Sequence, residues 1–271
     1  MEKEIVSIIN PNIINFKNPD ADNKYDNDDL KSVIHNNWKQ FPENFLDDDL
    51  KYQNWFDACA SLEECRIAGY SDFFGRILTP ELLPLLGSRF DNKAVEIGYG
   101  GGRLTSAACK VFDKVTGIDI LSAKCSQKTS DFIKSGGSNN FELIDLDNAE
   151  KIEDESIDFV YSFIVFQHFS SEDQYYSYVN FIKRILRKNA IGRIFFGLNK
   201  TNKENITFTK SFNEGTAYSS ILYNPKFVVN HFNEEGLKII SAARTAKSVW
   251  DDPGDPRCQL SNQFFITFQK E

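Results

Sequence analysis

A short apolar strand that runs straight into alternating glycines constrains this chain most: Val95-Glu96-Ile97-Gly98-Tyr99-Gly100-Gly101-Gly102-Arg103. Glycine lets the backbone turn sharply and lie bare against a ligand, and a helix-like stretch, 104–111, follows. Strand, glycine loop and helix in that order open a βαβ unit, and the downstream sequence repeats the pattern. Residues 115–120 read as a second strand, and 122–135 as a helix stopped by Gly136-Gly137. Residues 141–146 read as a third strand. Residues 157–166 read as a fourth, nearly all apolar and so buried on both faces. Residues 172–188 carry Tyr175, Tyr178, Ile182 and Ile185 at helical spacing, and Ser171 stands three before Gln174 as in a capping box. A fifth strand at 194–198, a helix at 225–232 and strands at 238–245 and 263–268 complete the series. This alternation predicts a doubly wound, seven-stranded α/β sheet, mostly parallel, with right-handed crossovers. No helix separates the last two strands, so they are expected to form an antiparallel edge hairpin.

Residues 1–30, rich in Asn and Asp, read as a flexible arm. Residues 31–90 read as a helical cap: Ser61 precedes Glu64 by three, and Thr79-Pro80-Glu81 leads into a run of leucines. The sheet domain is expected over 91–271. With 41% hydrophobic residues among 271, one sizeable core is within reach. The net charge of −8 argues against nucleic acid or an anionic membrane as a partner. Five cysteines without CxxC spacing and three scattered histidines suggest neither a disulfide framework nor a metal site. The N-terminus mixes acids into its apolar run, and no apolar run approaches the ~20 residues of a membrane helix. The expectation is a soluble, reduced, cytoplasmic protein.

Asp119 ends the second strand, 21 residues past Gly98. A carboxylate there accepts hydrogen bonds from a ribose diol. The competing reading is an N-cap for the next helix. The dinucleotide pattern G-x-G-x-x-G fails in both registers, because Arg103 or Thr105 stands on its third glycine. Loop and acid together argue for an adenosine-bearing ligand.

From about Ala94 to Phe196 the sequence resembles the class I S-adenosylmethionine-dependent methyltransferases of the small-molecule branch. VEIGYGGGRLT, VTGIDI, DLDNAEKIEDESIDFVYSFIVFQHF and RILRKNAIGRIFF carry the resemblance in order. One departure is Asn189-Ala190-Ile191-Gly192, where that family usually has a Pro-Gly-Gly turn. The resemblance implies a Rossmann-like fold, S-adenosylmethionine as cofactor and methyl transfer as the activity. It implies that Glu96 orients the loop and helps meet the methionine amino group. Gly98, Tyr99, Gly100 and Gly102 would line the methionine and ribose, Asp119 would hold the ribose hydroxyls, and Ile120 would pack on the adenine. Asp147 or Asn148 would reach the adenine amino group, the bland alternative being a turn residue. Phe163 would face the sulfonium, Tyr70 is a candidate contact from the cap, and Arg103 either meets the cofactor carboxylate or faces solvent.

His168, just past the fourth strand, lies at the carboxyl end of a parallel sheet, where ligands bind. Its side chain suits proton transfer, so it is the candidate base; the competing role is a backbone bond at the strand-to-helix turn. His35 and His231 read as surface or packing residues. Loops 199–224 and 246–262, with Asn199, Phe208, Phe212, Tyr218, Tyr223 and Trp250, are expected to line the acceptor. The leading reading is methyl transfer to an oxygen, less favoured a nitrogen, of a small organic acceptor. The alternatives are an NAD(P)-binding oxidoreductase and a methyltransferase-like binding protein without turnover.

Overall fold

Between Lys93 and Gly197 the apolar runs form five strands: β1 (Lys93–Ile97), β2 (Lys114–Asp119), β3 (Phe141–Asp145), β4 (Ile157–Ser162) and β5 (Leu186–Gly197). They appear in a computed structural model that describes residues 36–57, 59–87, 91–199, 204–208, 221–245 and 263–271. The arm at 1–30, the loop at 246–262, His35, Phe212 and Tyr218 lie outside the described residues. The strands pair in parallel and are joined by β8 (Leu237–Arg244) and β9 (Gln263–Lys270) in the order β3-β2-β1-β4-β5-β9-β8. β9 runs antiparallel to both β5 and β8. The expected terminal hairpin therefore exists, with β9 inside the sheet and β8 at the edge. Burial explains the order. Phe264, Ile266 and Phe268 of β9 are all buried, whereas β8 alternates buried and exposed positions as an edge strand does.

Each face of the sheet carries a core. On one, α5 (Glu172–Ile185) and α6 (Pro225–Glu234) bring Tyr175, Val179, Ile182, Val228 and Phe232 against Val160, Ile194 and Phe196. On the other, Phe73, Ile77, Leu82 and Leu86 pack with Leu104, Phe159 and Phe195. The helices before β1 thus share a core with the sheet. They are α1 (Asp49–Phe56) and α2 (Leu62–Asp72), the latter capped by Ser61 Oγ at 3.1 Å from Glu64 N–H. Gln174 N–H meets Ser171 Oγ at 3.3 Å, as the spacing predicts for α5. Between β1 and β2 lies α3 (Arg103–Ala108), and between β2 and β3 lies α4 (Ala123–Ser135).

Several boundaries differ from the sequence reading. The leucine run after Pro80 makes only a 3-10 turn, Leu83–Leu86, because Pro84 lacks the amide a continuing helix requires. β4 stops at Ser162, where Ile164 turns left-handed at φ 61°. β5 begins at Leu186, straight out of α5; Asn189 takes the left-handed turn at φ 64°, which asparagine tolerates better than most residues. The stretch 199–224 contributes a small hairpin, β6 (Ile206–Phe208) with β7 (Ile221–Tyr223). Arg193 on β5 is 3% exposed and bonds Thr267 Oγ1, Arg76 O and Thr79 Oγ1 at 2.8–2.9 Å, fastening the N-terminal layer to the sheet. Among the described residues, no helix is long and apolar enough to cross a membrane.

Candidate active site

The chain leaves β1 through Gly98 at φ 78° and Gly100 at φ 47°. A Cβ at Gly98 would lie 2.2 Å from Val165 Cγ2, so the loop after β4 closes directly on the loop after β1. Only glycine meets both demands, the positive φ and the close approach. Gly100 N–H donates to Asp119 Oδ2 at 2.8 Å, and Ile120 N–H donates to Oδ1 at 2.7 Å. Asp119 therefore ties the exits of β1 and β2 together. Burial pushes its carboxyl up to about 6, and the backbone donors from Gly100 and Ile120 offset only part of that rise.

Beneath the loop, Glu96 is 2% exposed. Its Oε2 accepts from Thr105 Oγ1 at 2.5 Å and from Tyr161 OH at 3.0 Å. Burial outweighs both bonds and raises its carboxyl to about 7. Burial thus lifts two acids above the ordinary carboxylate range, Glu96 further than Asp119, beside a loop of bare amides.

A cavity of about 320 Å³ opens at the carboxyl ends of β1, β2 and β4. It brings together Glu96, Gly98, Tyr99, Gly100, Asp119, Ile120, Phe163 and His168. Tyr99 OH is tied to Ser126 Oγ at 2.7 Å, and burial pushes its hydroxyl pKa up. The other candidates sit elsewhere. Gly102 caps α3, with Thr129 and Ile133 against it. Tyr70 packs beside Phe74. Asp147 donates its N–H to Asp145 Oδ1, and Asn148 Oδ1 accepts from Lys151, both on a 3-10 turn whose first residue, Leu146, does line the cavity.

Other lining residues carried no sequence signal of this role. Trp38 packs against His168 with ring centroids 4.6 Å apart and planes tilted by 49°. Tyr178 sits on the apolar stripe of α5, Asp57 ends α1, and Val165 covers Gly98. Arg103, placed between cofactor and solvent by the sequence, is buried. It pairs with Asp57 at 2.5 Å and Asp72 at 2.6 Å, and its guanidinium lies 5.7 Å over the Phe163 ring. Burial opposes its charge, but the two carboxylates win and hold its pKa above the ordinary value. Ile164, a β-branched residue held left-handed in the cavity wall, carries about 1–3 kcal/mol of backbone strain.

Residues 95–194 match the family model of a methyltransferase domain. The chain carries a class I S-adenosylmethionine-dependent methyltransferase domain. It is an enzyme, and S-adenosylmethionine is its cofactor. No curated protein matches the methyltransferase. Solved structures similar to it include a SAM-dependent methyltransferase from Methanosarcina mazei, at 17% identity over 71% of this chain and 97% of that one, TM-score 0.53. Another is the 1,6-didemethyltoxoflavin-N1-methyltransferase of Burkholderia thailandensis, with its substrate and S-adenosylhomocysteine bound, at 10% identity over 93% of both chains, TM-score 0.54. A third is a putative methyltransferase of Haloferax volcanii in complex with the Trm112 activator, at 13% identity over 84% of this chain and 97% of that one, TM-score 0.54. At these identities the likeness is one of fold. The residues of the methyltransferase fit the cofactor on their own geometry. At Gly98 the bare backbone packs under Val165, and Asp119 is a carboxylate, raised by burial, that hydroxyl donors such as those of a ribose would suit.

Proposed function

We infer that this methyltransferase transfers a methyl group to an oxygen, less favourably a nitrogen, of a small organic acceptor, with His168 receiving the acceptor's proton. One observation carries the reading: His168 lines the same cavity as the glycine loop and Asp119, at the end of β4. When bound, the cofactor supplies a sulfonium-activated methyl. The chain's own residues have the remaining work of binding, alignment and proton handling. Gly98, Tyr99 and Gly100 would face the methionine and ribose, Asp119 the ribose diol, and Ile120 and Leu146 the adenine. Glu96 would meet the methionine ammonium, while Arg103, already paired with Asp57 and Asp72, would shape the wall beside Phe163. Phe163, Trp38 and Phe169 wall the methyl side and keep water out. Alignment of two reactants is worth about 7–11 kcal/mol of barrier, and a positioned base about 10²–10⁴-fold in rate. The negative net charge and the lack of a membrane-length apolar run favour a cytoplasmic protein without a nucleic-acid partner, in which residues 1–30, 31–90 and 91–271 act as arm, cap and catalytic domain.

Calorimetric titration with S-adenosylhomocysteine, followed by turnover of S-adenosylmethionine against fractionated small metabolites, tests this. Micromolar binding and acceptor-dependent turnover that drops at least 10²-fold in H168A are expected. Full turnover in H168A defeats the proton role, and turnover only with a macromolecular acceptor defeats the small-molecule reading.

A further inference from the structure

The carboxyl ends of β4 and β5 and the start of β9 meet beside the cavity, and two buried glutamines lie there. Gln263, 5% exposed, opens β9 directly opposite Gly197 of β5. Gln167, 7% exposed, lies against that glycine: a Cβ on Gly197 would come within 3.2 Å of Gln167 Cβ. The gap in β5 thus admits the Gln167 side chain beside the sheet. Gln263 Nε2 donates to Gln167 Oε1 at 2.7 Å, and Gln167 Nε2 stands 3.3 Å from His168 Nε2.

We propose that Gln263 is a positioning residue that acts through Gln167 to keep the proton of His168 on Nδ1 and a lone pair on Nε2. This rests on the reading of His168 as the proton acceptor. An amide has one accepting and one donating end. With its oxygen committed to Gln263, Gln167 presents N–H to the imidazole, and an N–H is met only by an unprotonated nitrogen. The tautomer of a histidine follows from the bond its partner makes. At 3.3 Å that contact is long, so an acceptor hydroxyl displaces it at little cost. Gln263 Oε1 is buried with no partner among the described residues, an arrangement that costs stability rather than adding it. Gln263 reaches His168 from a strand far along the chain, so the loop after β4 and the reversed strand β9 together set the state of the base.

Long-range ¹⁵N–¹H correlation spectra of the apo protein report which ring nitrogen is protonated, and the His168 signals are assigned by their loss in H168N. The wild type is expected to show the Nδ1–H form. In Q263M, the Gln167 oxygen loses the donor that turns it away from the ring, and the Nε2–H form is expected to become the majority. A wild-type spectrum with the proton on Nε2 overturns the proposal whether or not any variant folds. So does a folded Q263M with the wild-type pattern. The same samples are titrated with S-adenosylhomocysteine, with affinity expected within twofold of wild type. Loss of that binding in the wild type defeats the cofactor site, and leaves the tautomer result to be judged separately.

Discussion

Replacing Glu96 by glutamine is expected to stabilise the ligand-free protein at alkaline pH, the reverse of what losing a buried, twice-bonded residue ordinarily does. Burial raises the Glu96 carboxyl from 4.5 to about 7. The folded state therefore holds its proton more tightly than the unfolded chain does. The contribution is present in full below pH 4.5, is lost as pH rises toward 7, and changes no further above that. At about 1.36 kcal/mol per pH unit, this window of about 2.5 units corresponds to roughly 3 kcal/mol. A glutamine in its place would keep the shape and, through its carbonyl oxygen, still accept from Thr105 and Tyr161, but it has no charge to desolvate. E96Q should match wild type near pH 5 and exceed it by about 2–3 kcal/mol at pH 8. Asp119, raised to about 6 by burial, titrates in the same direction, so E96Q should retain a slope below pH 6 and run flat above pH 7. Urea unfolding at pH 5, 6, 7 and 8 measures this. A stability gap between the two proteins that stays constant across that range refutes the argument that Glu96 is held protonated by burial.

Three further substitutions probe the site and its support. G98A should lower the melting temperature and abolish S-adenosylhomocysteine binding in calorimetry, since its Cβ meets Val165 and its φ is 78°; adding V165A should restore part of the stability and little of the binding. D119N keeps the shape but loses the charged acceptor, so affinity for S-adenosylhomocysteine should fall by about 1.5–3 kcal/mol, roughly 10- to 150-fold, and an unchanged affinity removes Asp119 from the ribose. R193M leaves Arg76 O and the Thr79 and Thr267 hydroxyls without their buried donor, and should cost about 2–4 kcal/mol in equilibrium unfolding.

The parts of this protein that can be read in its sequence are those whose partners lie close along the chain. Gly98, Gly100 and Asp119 belong to one βαβ unit, so spacing alone brings the glycine loop and the carboxylate to one end of the sheet, while the bond between Gly100 N–H and Asp119 shows only in the structure. Ser61 with Glu64 and Ser171 with Gln174 are local caps for the same reason. Ile164 misleads: a β-branched residue inside an apolar run reads as strand, and its left-handed turn comes from the fit of Val165 over Gly98 rather than from its own preference. Burial of Arg103 is invisible beforehand because the carboxylates that neutralise it, Asp57 and Asp72, arrive from a different layer. Trp38 has no periodicity to mark it, and only the tertiary fold sets it on His168.

The placement of β9 also bears on how the molecule assembles. Strand β8 precedes β9 in sequence but, among the described residues, has no neighbour in the sheet except β9, so the order of synthesis is not the order of pairing. Until Gln263–Lys270 docks on β5, β8 has chiefly the packing of α6 to hold it, and one end of that core stays open to water. Closing the sheet is then a late, long-range step, of the kind that slows folding and leaves an exposed strand edge to be shielded in the meantime.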